Sequence, residues 1–240
     1  MTSKLLSTRI KAVRLAAAAC AVLALGACAA TEGGVDNPVL RKFQWFSYME
    51  GGDFRDTCKA GAENRYRIIY NAVYTEQVRI YDLSERVSSL YTRVMLPADL
   101  RDFSIDSFGG LLDPWRGNTA ITVLSASDLG GIVADLEASG AFGPPNVGAE
   151  LSSREFFWTL ASCHDGAYHF TGFSWPSPQW DQAHFADTLF ALDSTDIPVN
   201  PPRKTNTRRK PYASNAPTRD KQKYNQMVGE RGLVGFGPLF

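Results

Sequence analysis

Period-two alternation dominates the chain between residues 65 and 96. Ile68, Tyr70, Ala72 and Tyr74 alternate with Arg67, Ile69, Asn71 and Val73, and Val78, Ile80 and Asp82 alternate with Arg79 and Tyr81. A third run, Val87 to Leu96, stops at Pro97. Their β-branched and aromatic residues assign all three to strands, although residues 76–90 contain no breaker and leave helix open for the middle of the region. Residues 96–117 are rich in Asp, Gly and Pro and read as loop; Thr119 to Leu124 then reads as a buried strand. The period next changes: Leu129, Ile132, Val133 and Leu136 recur at helical spacing. Ser127–Asp128 is the expected N-cap of that helix, and Gly140 its end.

The clearest local pattern is a hairpin over Arg154 to Pro176. Two β-rich runs flank Asp165–Gly166, a pair favoured in type I′ turns. That turn sets His164 opposite Ala167, Cys163 opposite Tyr168 and Ser162 opposite His169. One face then carries Phe156, Trp158, Leu160, Ser162, His164, His169, Thr171, Phe173 and Trp175. The other carries Phe157, Thr159, Ala161, Cys163, Tyr168 and Phe170. Both faces are largely apolar, so the hairpin is expected inside a sheet rather than at a bare edge. After it, residues 179–192 read as a second helix with an apolar stripe through Trp180, Ala183, His184, Leu189, Phe190 and Leu192. The expected fold is α+β: a mainly antiparallel sheet of about six strands, with two helices on one side.

Charge changes the picture at the end of the chain. Residues 28–200 hold 12 Lys/Arg and 23 Asp/Glu, a net of −11, whereas residues 201–240 hold 9 and 2, a net of +7. With its prolines and basic clusters, the stretch from 198 to 240 reads as a disordered basic arm attached to a globular body spanning 41–197. Its last stretch, Gly232 to Phe240, is apolar again, as if to dock.

The N-terminus reads as an address. Lys4, Arg9, Lys11 and Arg14 precede an Ala, Val and Leu run over 15–25, followed by Leu25–Gly26–Ala27–Cys28. The run is shorter than the roughly 20 residues that span a bilayer. Basic front and apolar run have the order of a secretory signal, and the four residues resemble the lipobox of bacterial lipoproteins. That resemblance implies removal of residues 1–27, Cys20 included, and lipidation of Cys28, which anchors the chain in a membrane. Ala29 resembles the residue of outer-membrane types, implying an envelope protein facing the periplasm. Residues 28–40 form a polar tether with Gly33–Gly34 and Asn37–Pro38. The basic and aromatic segment Arg41 to Tyr48 reads as a first element packing on the body.

Two cysteines then remain, Cys58 and Cys163. An oxidising compartment favours their pairing as a disulfide. The chemistry is otherwise sparse. His164, His169 and His184 are weak metal-site candidates with no HExxH or paired CxxC motif behind them, and the expectation is no metal and no cofactor. Ser162, His164 and Asp165 offer triad residue types but no GxSxG context. Asp128 and Asp135 do not share a helix face. Nucleic acid is not expected outside the cytoplasm, so the basic arm is read either as a contact for an anionic envelope polymer, a protein partner or the acidic body, or as a solvated arm with no partner. The function expected is therefore a lipid-anchored envelope protein with a structural, adaptor or binding role, more an adaptor than an enzyme. The alternative is an anchored hydrolase using carboxylate or histidine chemistry.

Overall fold

Alternation becomes a six-stranded antiparallel sheet in the computed structural model, which describes residues 45–96, 117–205 and 224–235. The strands are β1 (Arg65–Ala72), β2 (Gln77–Ser84), β3 (Ser89–Met95), β4 (Asn118–Val123), β6 (Phe156–His164) and β7 (Ala167–Ser174), in the spatial order β4-β3-β2-β1-β6-β7. A second, three-stranded sheet holds β5 (Glu150–Ser152), β8 (Asn225–Val228) and β9 (Leu233–Val234), in the order β5-β8-β9. The α+β class with a mainly antiparallel sheet is thus the observed architecture. Cys28, the signal stretch, the tether and most of the loop before β4 lie outside the described residues.

Both faces of the sheet are covered, and the cover differs. Against one face lie α2 (Ala126–Ala138) and α3 (Phe185–Leu192), burying Ile132, Leu136, Phe185 and Leu189 on Tyr70, Tyr81, Trp158 and Phe173. Trp158 is fully buried among Tyr70, Phe185 and Phe190, whose ring centroids lie 4.6, 5.3 and 5.5 Å away. Helices are not confined to that side. The helical residues 45–49 and α1 (Gly52–Arg55) pack Trp45, Met49 and Phe54 on the opposite face, together with the small sheet. A sheet apolar on both faces must be covered twice, and this is the second cover.

Besides β4, which is an exposed edge strand rather than a buried one, with Ile121 and Val123 at the surface, three expectations change in detail. The N-cap of α2 is Ser125 rather than Ser127–Asp128. Ser125 Oγ accepts from Asp128 N at 3.1 Å, and the Asp128 carboxylate accepts from Ser125 N at 3.0 Å. An acidic residue three positions beyond a serine closes this reciprocal box. Their hydroxyl and amide donors also hold the Asp128 carboxyl below its usual range. The second helix is split: a 3₁₀ turn, Trp180–Gln182, precedes α3. Between them His184 N donates to Ser139 Oγ at 3.0 Å, a tertiary bond that competes with helical continuity.

The third change concerns the end of the chain. Residues 198–205 run along the body: Asn200 Nδ2 donates to Ala72 O at 3.0 Å, Tyr70 donates to Asn200 O at 2.7 Å, and Arg203 pairs with Glu76. Residues 224–235 return to it as β8 and β9, with Tyr224, Gln226 and Val228 buried. The arm read from composition is therefore held as far as Arg203 and again from Tyr224, and the body does not stop at residue 197. Residues 206–223, with most of the basic cluster, lie outside the described residues.

Candidate functional site

The Asp165–Gly166 turn organises the chemistry. Both residues have positive φ, 49° and 76°, as a type I′ turn demands. The expected register is the observed one: His164 pairs with Ala167, Cys163 with Tyr168 and Ser162 with His169. The hairpin is interior only on one side, however. β6 lies between β1 and β7, and β7 is the last strand of its sheet. Part of that edge is blunted, because Asn146 Nδ2 donates to Gly172 O at 3.0 Å and Asn146 N to Thr171 Oγ1 at 3.1 Å. Such blunting is how natural sheets protect their edges.

At the turn, His164 sits in a hydrogen-bonded chain. Tyr66 donates its hydroxyl to Glu85 Oε1, and the same oxygen lies 2.8 Å from His164 Nδ1. A phenol has one proton. Given to Glu85, it leaves the oxygen to accept, so His164 carries hydrogen on Nδ1. Burial, then the Glu85 bond, pushes the Tyr66 hydroxyl far above its ordinary titration range, which keeps this proton in place. Phe142 stacks on the His164 ring at 4.0 Å, and Nε2 faces Asp165 at 3.7 Å.

The remaining candidates are not drawn into that chain. His169 touches Phe142 edge-on at 5.8 Å, and exposed His184 lies at the start of α3. Among the described residues, no three His, Cys, Asp or Glu side chains form a metal-binding group. Ser162 is fully buried, and its Oγ has no hydrogen-bond partner among the described residues, so it makes no triad with His164 and Asp165. Asp128 caps α2, and Asp135 accepts from Thr188 at 2.6 Å, tying α2 to α3. Cys58 and Cys163 are joined, with Cα atoms 5.5 Å apart.

A cleft of about 590 Å³ runs beside the free part of β7, a size within the range of roughly 300–1,000 Å³ common for ligand sites. Tyr168, His169 and Phe170 of β7 line it together with Gly143, Pro145, Arg55, Glu230 and Arg231. Arg55 also pairs with Glu50 at 3.3 Å, and its guanidinium lies 5.9 Å from the Tyr168 ring centre. Tyr168 donates its hydroxyl to Glu50 O, while burial, then Glu50, raises its titration beyond the ordinary range. Sequence reading missed Arg55, Glu230 and Arg231. No local pattern links them to the hairpin; the separation is more than a hundred residues on one side and about sixty on the other.

His169 gives the site a pH response. Burial, then the neighbouring His164, lowers its titration from the ordinary 6.5. The unfolded chain therefore binds the His169 proton more readily than the folded chain. Stability is kept above the ordinary value and falls as pH drops below it. Thermal melts at pH 7.5 and 5.5 are expected to show a larger drop for the parent than for His169→Gln, and equal drops would remove His169 as the cause.

No protein-family model matches the chain, and no curated protein or solved structure is significantly similar to it.

Proposed function

We propose that this chain is a lipid-anchored cell-envelope protein with an adaptor or binding role, held at the outer membrane and facing the periplasm. The observation that carries the reading is Leu25–Gly26–Ala27–Cys28, placed directly after a basic front and a short apolar run. The Cys58–Cys163 pair supports it, because paired cysteines belong to oxidising compartments. The basic cluster from Arg203 to Lys223 supports contact with an anionic envelope polymer; each basic residue near such a surface contributes up to about 1 kcal/mol.

Metabolic labelling with an alkyne fatty acid tests the anchor. The parent is expected to take up label and partition with membranes. The Cys28→Ser variant is expected to be unlabelled and to keep its apolar leader. An unlabelled parent with an intact amino terminus in the cytoplasm would overturn the proposal.

A second reading, an anchored hydrolase, draws on the Glu85–Tyr66–His164 chain, which orients an imidazole with Nε2 outward. His164→Ala separates the two readings: an adaptor keeps its crosslinked partner in cells, whereas a hydrolase accumulates its uncut substrate.

A further inference from the structure

The edge of β7 is open where the cleft runs along it. In a hairpin closed by a two-residue turn, the flanking residues form a hydrogen-bonded pair, and such pairs then alternate with non-bonded ones. His164 and Ala167 flank the turn. His169, Thr171 and Phe173 therefore direct their main-chain groups at β6, while Tyr168, Phe170 and Gly172 direct theirs outward. Gly172 bears this out, since its carbonyl accepts from Asn146. Among the described residues, no main-chain partner reaches the outward groups of Tyr168 or Phe170.

The opening has two ends. At Gly172, Asn146 occupies the edge. At the turn, Lys59 and Ala60 pack so closely that a Cβ on Gly166 would lie 2.7 Å from their backbone. Five residues lie between these ends, so the span is roughly 20 Å of strand at about 3.3 Å per step. That is room for a short extended segment.

The walls select its charge. The charged residues of the lining are Arg55, Arg231 and Glu230. Arg55 is already tied to Glu50, and Arg231 is exposed with no ion-pair partner among the described residues. A carboxylate beside Arg231 completes a pair that the protein leaves half made.

We propose that this cleft binds a short extended peptide bearing acidic side chains, by strand addition to β7 at Tyr168 and Phe170. Main-chain pairing supplies affinity and Arg231 supplies charge selection, as in other domains that extend a sheet with a partner's strand. This deepens the adaptor reading by naming its partner class.

The test uses the full chain in detergent micelles and the peptide acetyl-Val-Glu-Val-Glu-Val. Hydrogen exchange is read amide by amide. In the free chain, Tyr168 and Phe170 amides are expected to exchange quickly while His169 and Thr171 are protected; peptide should protect the first two. N-methylation of every peptide amide is expected to weaken binding at least tenfold, and so is Arg231→Glu, which should favour the lysine counterpart of the peptide. Protection of Tyr168 and Phe170 without peptide would overturn the proposal, because a segment of this chain or a second copy then fills the edge. Absence of binding, or binding indifferent to N-methylation, would overturn it too. Fatty-acid labelling is independent of these outcomes, so failure here is distinguishable from failure of the anchor.

Discussion

Arg79→Met is expected to destabilise the domain by about 3–5 kcal/mol, the usual loss when one partner of a buried ion pair is removed. Arg79 lies in β2 with no exposed surface, and Asp193 opposite it is nearly as buried. The guanidinium reaches the Asp193 carboxylate, donates to the carbonyl of Ile197, and donates through Nε to Gln77 at 3.0 Å. Tyr81 adds its hydroxyl to the same carboxylate at 2.9 Å. Taking the cation away leaves Asp193 charged in a buried site with only neutral donors, from Tyr81 and Thr195. Charged groups stranded in this way cost far more than the net worth of the pair. The double variant Arg79→Leu with Asp193→Leu is therefore expected to recover most of the loss. Denaturant midpoints at unchanged slope check both. If the double variant is as damaged as the single one, packing rather than stranded charge is responsible.

The same network positions residues 193–200. Asp193 accepts from the Thr195 amide at 3.0 Å, and Gln77 takes Asn200 N at 3.1 Å while donating to Pro198 O at 3.0 Å. Loss of Arg79 should therefore free this strap before the sheet melts. Faster proteolysis around residue 195 would report it.

Removing the sulfur link by Cys58→Ala with Cys163→Ala is expected to lower stability by about 3–5 kcal/mol. The link joins residues 105 apart, and a closed loop of that length removes about 4–5 kcal/mol of unfolded-chain entropy in the simplest account. Cys163 is buried in β6, and Cys58 lies just beyond α1. The bond therefore holds α1 and the Lys59–Ala60 stretch against the hairpin. Arg67 holds the same region from inside: it pairs with Asp53 at 2.6 Å and Asp82 at 2.7 Å, beneath Tyr48. The variant is thus expected to stay folded but to melt earlier, and reduction of the parent should reproduce its denaturant curve. A loss under about 1 kcal/mol would show that Arg67 already secures the segment.

How much of this was legible depends on how local the controlling interaction is. The hairpin register followed from two residues, because a type I′ turn leaves one pairing to its flanks. The strands β1, β2 and β3 followed from alternation and branching. The N-cap was misplaced by two positions because Ser125 and Ser127 both precede Leu129, the first residue of the apolar stripe, and only the Asp128 side chain chooses between them. The return of the chain as β8 and β9 was hidden. Gln226 and Val228 are a two-residue signal beyond a basic stretch, too short to outweigh composition, and they become strand only by pairing with Leu151 and its neighbours. The histidines were visible as residues, but Phe142, which separates their roles, comes from another loop.

The order of residues alone settled which segments form the strands of the large sheet, how the hairpin is registered and that the body is α+β. These properties follow from side-chain periodicity and turn chemistry within a few neighbours. Tertiary structure decided which strand ends the sheet, which segments cover its second face and which arginines meet at the cleft beside Tyr168. Those outcomes come from burying apolar faces under distant parts of the chain, and no local pattern encodes which distant part does so.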